Sequence, residues 1–288
     1  MINVFVPTTV TFNHHHTHNV TMKLEQVAQN KAFGGSLTKY KFVSEAFGGL
    51  ETHFNLSVHE GRLRPPSTLS PSSFPTRHPE ELKSPPKTIL RTLGTGFYCN
   101  ATSSDWSKHY SMENLITSEI QRVLKEDSGV GDVLDLDRQS VMGHSMGGHG
   151  AITLYLKGVL GARDGVEYHA ASGFAPILNP TKCPWGDKAF KGYLKGELEE
   201  GKAHDATELI AQAKGKSVQI LADYGTADNF YKVAQLLPEN LLAASKDARF
   251  GSDTVNVRER EGYDHSYYFV STFVPEPITS RHALILKK

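Results

Sequence analysis

The residues with the most chemical content lie at 141–150, Val-Met-Gly-His-Ser-Met-Gly-Gly-His-Gly. Gly143-His144-Ser145-Met146-Gly147 fits G-x-S-x-G, the pattern of a sharp strand-to-helix turn with a serine at its tip. A Cβ at Gly143 or Gly147 would collide across such a turn. The turn pushes the Ser145 hydroxyl into the open at a helix start, where developing negative charge is favoured. Ser140-Val141-Met142 is a short apolar approach fit for a buried strand, and Ala151 to Lys157 has helical character. The order strand, turn, helix suits covalent acyl transfer through Ser145. The backbone N–H of Met146, the residue after the nucleophile, would face the oxyanion.

A serine hydroxyl needs a base, and the base needs an orienting acid. In α/β-hydrolases they follow in chain order: serine, then Asp or Glu, then His. Downstream lie Asp228, in Tyr-Gly-Thr-Ala-Asp-Asn-Phe, and His265, in Glu-Gly-Tyr-Asp-His-Ser-Tyr-Tyr-Phe. Each follows an apolar strand-like run, Val218 to Leu221 and Val255 to Val257, which puts both on loops beyond strand ends, where α/β sheets bind ligands. Asp223 and Asp264 compete for the acid role. Asp223 falls within or at the end of its strand, and Asp264 adjoins His265 as a loop-stabilising residue would. His144 and His149 flank the serine, but the chain order already supplies the base at His265, so both read as structural. Trp185 is a candidate for lining the substrate pocket or for packing alone. Lys188 and Lys191 could attract carboxylates, although solvated surface lysines are the simpler account.

Several stretches together carry a more specific resemblance: His144 to Gly150, Gly173 to Pro180, Cys183 to Phe190, Gly192-Tyr193-Leu194 and Gly262 to Phe269. In order and spacing, from Gly94 to the end, they resemble the S-formylglutathione hydrolases, or esterase D family. The resemblance implies an α/β-hydrolase fold: a mostly parallel central sheet with helices on both faces. It implies Ser145, Asp228 and His265 as catalytic residues, with Asp228 matching the family acid. It implies cleavage of S-formylglutathione to glutathione and formate, the hydrolytic step of glutathione-dependent formaldehyde removal, without metal or other cofactor, by a cytoplasmic homodimer. Two alternatives stand beside this: a general carboxylesterase for small acyl groups, and a catalytically impaired remnant or incomplete gene model.

The last alternative arises from the N-terminal third. Residues 65–86 hold seven of the chain's 14 prolines, with serines in many gaps. This composition opposes helix and central strand and reads as a disordered linker. The family places a strand–helix–strand segment here, including the strand whose following loop gives the second oxyanion donor. Loss of one donor costs roughly 10²–10³ in kcat, so turnover at least about a hundredfold below an intact relative is expected.

The remaining elements must position the site. Residues 1–21 contain no Lys, Arg, Asp or Glu, which excludes a secretory signal or transit peptide. With His14, His15, His16 and His18 they read as a disordered tail rather than a metal site, and Met22 is a second candidate start. Residues 22–288 are expected to form one domain with a Pro/Ser-rich segment at 60–90. Gly34 to Val58 reads as an antiparallel pair, from the alternation of Phe54, Leu56 and Val58 with polar residues. Ser111 to Asp127 reads as an amphipathic helix capped by Ser111. A loop and short-helix excursion over 177–215 and a closing helix from Ser266 complete the set. Net formal charge is +0, so nothing marks a nucleic-acid or anionic-membrane partner. Cys99 and Cys183 are too few for a disulfide framework, and no apolar run is long enough to span a membrane.

Overall fold

The computed structural model describes residues 2–6, 12–13, 23–32, 35–59 and 97–277. The Pro/Ser-rich segment at 60–90 and the histidines at 14–18 lie outside the described residues.

Two sheets organise the described residues. The central one has five strands, all parallel: β1 (Ile2–Val6), then β6 (Gln139–His144), β7 (Tyr168–Phe174), β8 (Ile220–Gly225) and β9 (Val255–Arg260). Every residue of β6 and β8 is buried, as expected for parallel strands covered on both faces. The edge strand β9 is only partly buried. The second sheet is antiparallel, in the order β2 (Phe12–Asn13), β5 (Leu50–His59), β4 (Gly35–Ser44), β3 (Glu25–Ala32). The expected β4–β5 hairpin is present inside this larger sheet. Thr38, Tyr40 and Phe42 stand opposite Leu56, Phe54 and Thr52, and the Tyr40 and Phe54 rings stack at 5.7 Å. The hairpin turns at Gly48 and Gly49, whose φ values of 63° and 87° suit glycine.

The sequence reading of residues 1–21 as an unstructured tail is corrected in part. Residues Ile2–Val6 pair in register with Gln139 to Gly143, and Phe12–Asn13 pair with Thr52 and Glu51. A run of Ile, Val and Phe at 2–6 is the composition of a buried parallel strand. Strand β1 stands beside β6 on the side opposite β7, so the elbow strand has a neighbour on each side.

Helices surround the central sheet. The first, α1, covers residues 112–126, with a π turn at Leu115–Glu119 between two α segments. Ser111 does not cap it by its side chain. Instead its N–H bonds to the carbonyl of Ala46, and Asn114 N–H bonds to Asn100 Oδ1. The Glu119 carboxylate accepts from Ser44 Oγ at 2.5 Å and Ala46 N–H at 2.7 Å, which ties α1 to the β4–β5 hairpin. Helix α2 (Met146–Leu160) follows the elbow, is buried from Gly147 to Lys157, and ends at Gly161 in the left-handed conformation. A helix apolar on all sides belongs in a core. The excursion contains α3 (Pro184–Tyr193), α4 (Glu197–Gly201) and α5 (Ala206–Gln212). Then come the short α6 (Asn229–Lys232), α7 (Pro238–Asp247) and α8 (Tyr267–Phe273). No helix among the described residues is long and apolar enough to cross a membrane.

Buried Asp205 holds the excursion to the body. One carboxylate oxygen caps α5 through the N–H groups of Thr207 and Glu208, while the other accepts from Asn179 Nδ2, Thr181 N–H and Thr181 Oγ1. Five donors on one buried carboxylate satisfy it without a cation.

Candidate active site

Strand β6 delivers Ser145 into a sharp turn. Its φ and ψ are 56° and −118°, far from the usual regions for a side-chain-bearing residue. The turn is held from both ends: Ser145 N–H donates to Phe174 O at 2.8 Å, and its carbonyl accepts from His149 N–H at 3.0 Å. A Cβ on Gly143 would lie 2.2 Å from the Gly147 carbonyl oxygen, so only glycine allows the chain to fold back this closely. Ser145 and Met146 are both partly exposed at the helix start, where N–H groups have no intrahelical partner.

The loops after β8 and β9 come to the same end of the sheet. They are tied together by Ala227 N–H to Tyr263 O at 2.9 Å, Thr226 N–H to Arg260 O at 3.1 Å and Gly262 N–H to Thr226 Oγ1 at 2.8 Å. A Cβ on Gly225 would sit 2.0 Å from the Tyr263 carbonyl oxygen. This closeness brings Asp228 Oδ2 to 2.6 Å from His265 Nδ1. Asp228 is fully buried, and its other oxygen accepts from Phe230 N–H at 2.8 Å. Its hydrogen bond at Nδ1 favours the tautomer that leaves Nε2 free to take a proton.

The competing aspartates do other work. Asp223 is buried and binds Arg258 through two hydrogen bonds of 2.7 Å and Arg260 at 3.0 Å, and Glu276 completes the ion cluster. Asp264 accepts from Ser266 N–H at 2.9 Å before α8. Hydrogen bonding from the Ser266 hydroxyl, and then from its N–H, holds the Asp264 carboxyl below its ordinary pKa.

Aromatic rings enclose His265. Phe230 stands edge-on at 4.6 Å and His144 tilted at 4.5 Å. The Trp185 ring packs on Phe230 at 4.7 Å, and the Trp185 backbone N–H donates to Gln235 Oε1 at 3.2 Å. Trp185 therefore stands one ring removed from His265. The Phe230 contact was not read from the sequence, although Phe230 lies only two residues after Asp228. Lys191 pairs with Asp187 at 2.8 Å on the surface, and Lys188 is exposed. His149 is fully buried in α2, with Nε2 at 2.6 Å from the His204 carbonyl oxygen, and burial pushes its pKa down to about 4. It has no part in the Asp228–His265 pair.

No group of three or more His, Cys, Asp or Glu placed to hold a metal occurs among the described residues. Cys99 and Cys183 are buried free thiols, and burial pushes Cys99 up to about 12.

A strained serine between a parallel strand and a buried helix, with a carboxylate-bound histidine on neighbouring loops, defines an α/β-hydrolase. The Esterase family model matches residues 86–279, and the chain belongs to that family. Among its relatives, the rat S-formylglutathione hydrolase is 42% identical over 185 residues, 64% of this chain and 61% of that protein. The Saccharomyces cerevisiae S-formylglutathione hydrolase is 46% identical over 187 residues, 64% of this chain and 60% of that protein. The chain thus spans about three fifths of the length of the curated relatives it matches. The solved structure of an S-formylglutathione hydrolase from Agrobacterium tumefaciens is similar with a TM-score of 0.66 and 27% identity, covering 89% of this chain and 98% of that one.

Proposed function

We propose that the chain is a serine thioesterase that hydrolyses S-formylglutathione to glutathione and formate. The observation that carries the reading is the 2.6 Å contact between Asp228 and His265 on loops that share a sheet end with the strained Ser145. In this mechanism Ser145 Oγ attacks the formyl carbon as His265 Nε2 takes its proton. The carbonyl oxygen becomes an oxyanion, and Met146 N–H donates to it. Collapse of the intermediate breaks the C–S bond, and His265 returns the proton to the departing glutathione thiolate. Water, deprotonated by His265, then attacks the formyl-serine; the ester bond breaks as His265 returns the proton to Ser145 Oγ, and formate is released. Asp228 holds the imidazole in the required tautomer and stabilises its charged form. Trp185, through Phe230, bounds the site on the side of the excursion.

The relatives' names supply the substrate, and the chemistry supplies the order of steps. The corresponding physiological setting is glutathione-dependent formaldehyde removal in the cytoplasm, by a homodimer without metal or other cofactor.

The test is a comparison of kcat/KM for S-formylglutathione and for a simple aryl acetate, with Ser145→Ala as control. Preference for the thioester, lost in the variant, supports the proposal. A preference for aryl acetates would make the protein a general small-acyl esterase instead. Equal rates for the chain and its Ser145→Ala variant would remove the serine mechanism altogether.

A further inference from the structure

We propose that His144 is a positioning residue, whose ring holds the His265 imidazole and its loop in register with the neighbouring Ser145. The inference rests on the reading of Ser145 as nucleophile and His265 as base.

The geometry is direct. His144 is the last residue of β6 and the one before the strained serine, so its backbone is fixed by the same turn. Its ring lies 4.5 Å from that of His265 and 5.4 Å from that of Tyr267, the first residue of α8. With Phe230 at 4.6 Å, His265 is therefore gripped by two rings, one from the elbow and one from the Asp228 loop. Packing of this kind restricts the imidazole to the plane that the Asp228 contact requires. It also makes the position of the base depend on the elbow through a single residue.

The state of His144 suits that task. It is 5% exposed, and its ring nitrogens make no hydrogen bond of full geometry among the described residues, although the His265 backbone lies close enough to raise its pKa slightly against the effect of burial. The groups whose charge reaches it are His265 and Asp228, and the His265 backbone also faces it. Tyr267 contributes its ring from the third side. Burial, with His265 in second place, pushes the His144 pKa down to about 3, so the ring is neutral at physiological pH. A neutral ring leaves His265 free to become imidazolium, whereas a charged one would oppose each proton that His265 accepts. It also keeps water from that side of the base.

The experiment measures the labelling rate of Ser145 by a fluorophosphonate, together with kcat and KM, all normalised to active sites. In His144→Ala the labelling rate and kcat per active site fall tenfold or more, with KM within about twofold. His144→Phe, which restores a ring, brings the rate back to within about threefold of the parent. An unchanged labelling rate in His144→Ala would overturn the proposal, as would a His144→Phe variant no faster than His144→Ala. A merely structural role would reduce the number of active sites without changing the rate at each. If the parent chain is not labelled, or the Ser145→Ala variant is labelled equally, the serine reading fails before His144 is at issue.

Discussion

Asp228 Oδ2 and His265 Nδ1 are 2.6 Å apart, while the second Asp228 oxygen is already committed to Phe230 N–H. The carboxylate is thus anchored by its own loop and presents one oxygen to the imidazole. Asp228→Asn keeps the shape but offers an amide where an acceptor is needed, which selects the wrong tautomer. By comparison with other triads, kcat should fall roughly 10³–10⁴-fold with little change in KM. Steady-state kinetics at pH 7 decides this, and a loss below tenfold would mean that Asp228 is not the orienting acid.

Acid stability should report the buried histidines. Burial holds His144, His149 and His204 at about 3, 4 and 3 in the folded protein, against about 6.5 when unfolded. The unfolded chain therefore binds more protons once the pH drops below about 6.5, and stability falls with falling pH. The loss continues until the pH passes the folded values, with uptake on unfolding approaching three protons. Urea midpoints at pH 7, 6, 5 and 4.5 should decline steadily, and His149→Phe should flatten the decline. A level series would contradict the neutral, buried state of these rings.

Glu113 and Lys157 form an ion pair between α1 and α2, with side chains 8% and 9% exposed. Removal of one partner leaves the other charge buried and alone, at a cost of about 3–5 kcal/mol. Lys157→Met should therefore lower the unfolding midpoint sharply, and the double variant Glu113→Met/Lys157→Met should recover most of the loss. Equal instability of the single and double variants would show that the pair does not act as a unit.

Gly225 gives a test of loop closure. Its hypothetical Cβ would lie 2.0 Å from the Tyr263 carbonyl oxygen, so Gly225→Ala must push the His265 loop away from the Asp228 loop. Phosphonate labelling of Ser145 should slow at least tenfold, while circular dichroism retains the parent spectrum. Unimpaired labelling would mean that the two loops can separate without harm to the base.

Strand β1 predicts the outcome of shortening the chain to begin at Met22. That change removes the partner of β6 at Gln139 to Gly143 and leaves the elbow strand at a sheet edge. The shortened protein should unfold at lower denaturant concentration and label more slowly at Ser145. Identical midpoints and labelling rates would make the strand dispensable.

Much of the candidate site is legible in the sequence because chemistry limits which residues can serve. Gly143 and Ser145 announce a turn that few other residues allow, and the order of Asp228 and His265 follows from the sheet's crossover connections. The Phe230 and His144 contacts on His265 carry no such mark, since they depend on how three loops approach in space. Strand β1 was missed for a related reason. A parallel strand has its partner far along the chain, so the apolar run at Ile2 to Val6 has no turn or neighbouring strand to declare it. The Asp205 cap of α5 shows the opposite case: half of its role is local and legible, and the half that holds Asn179 and Thr181 is not.

The pairing of Ile2 with Gln139 also bears on the order in which the molecule assembles. During synthesis β1 leaves the ribosome well before its partner β6, which follows only after the antiparallel sheet and α1 have been made. The β4–β5 hairpin can close at once because its strands are adjacent. Contacts of such large sequence separation form slowly. The nascent chain therefore carries β1 without its partner while residues 7–138 are made, the interval in which chaperones would meet it.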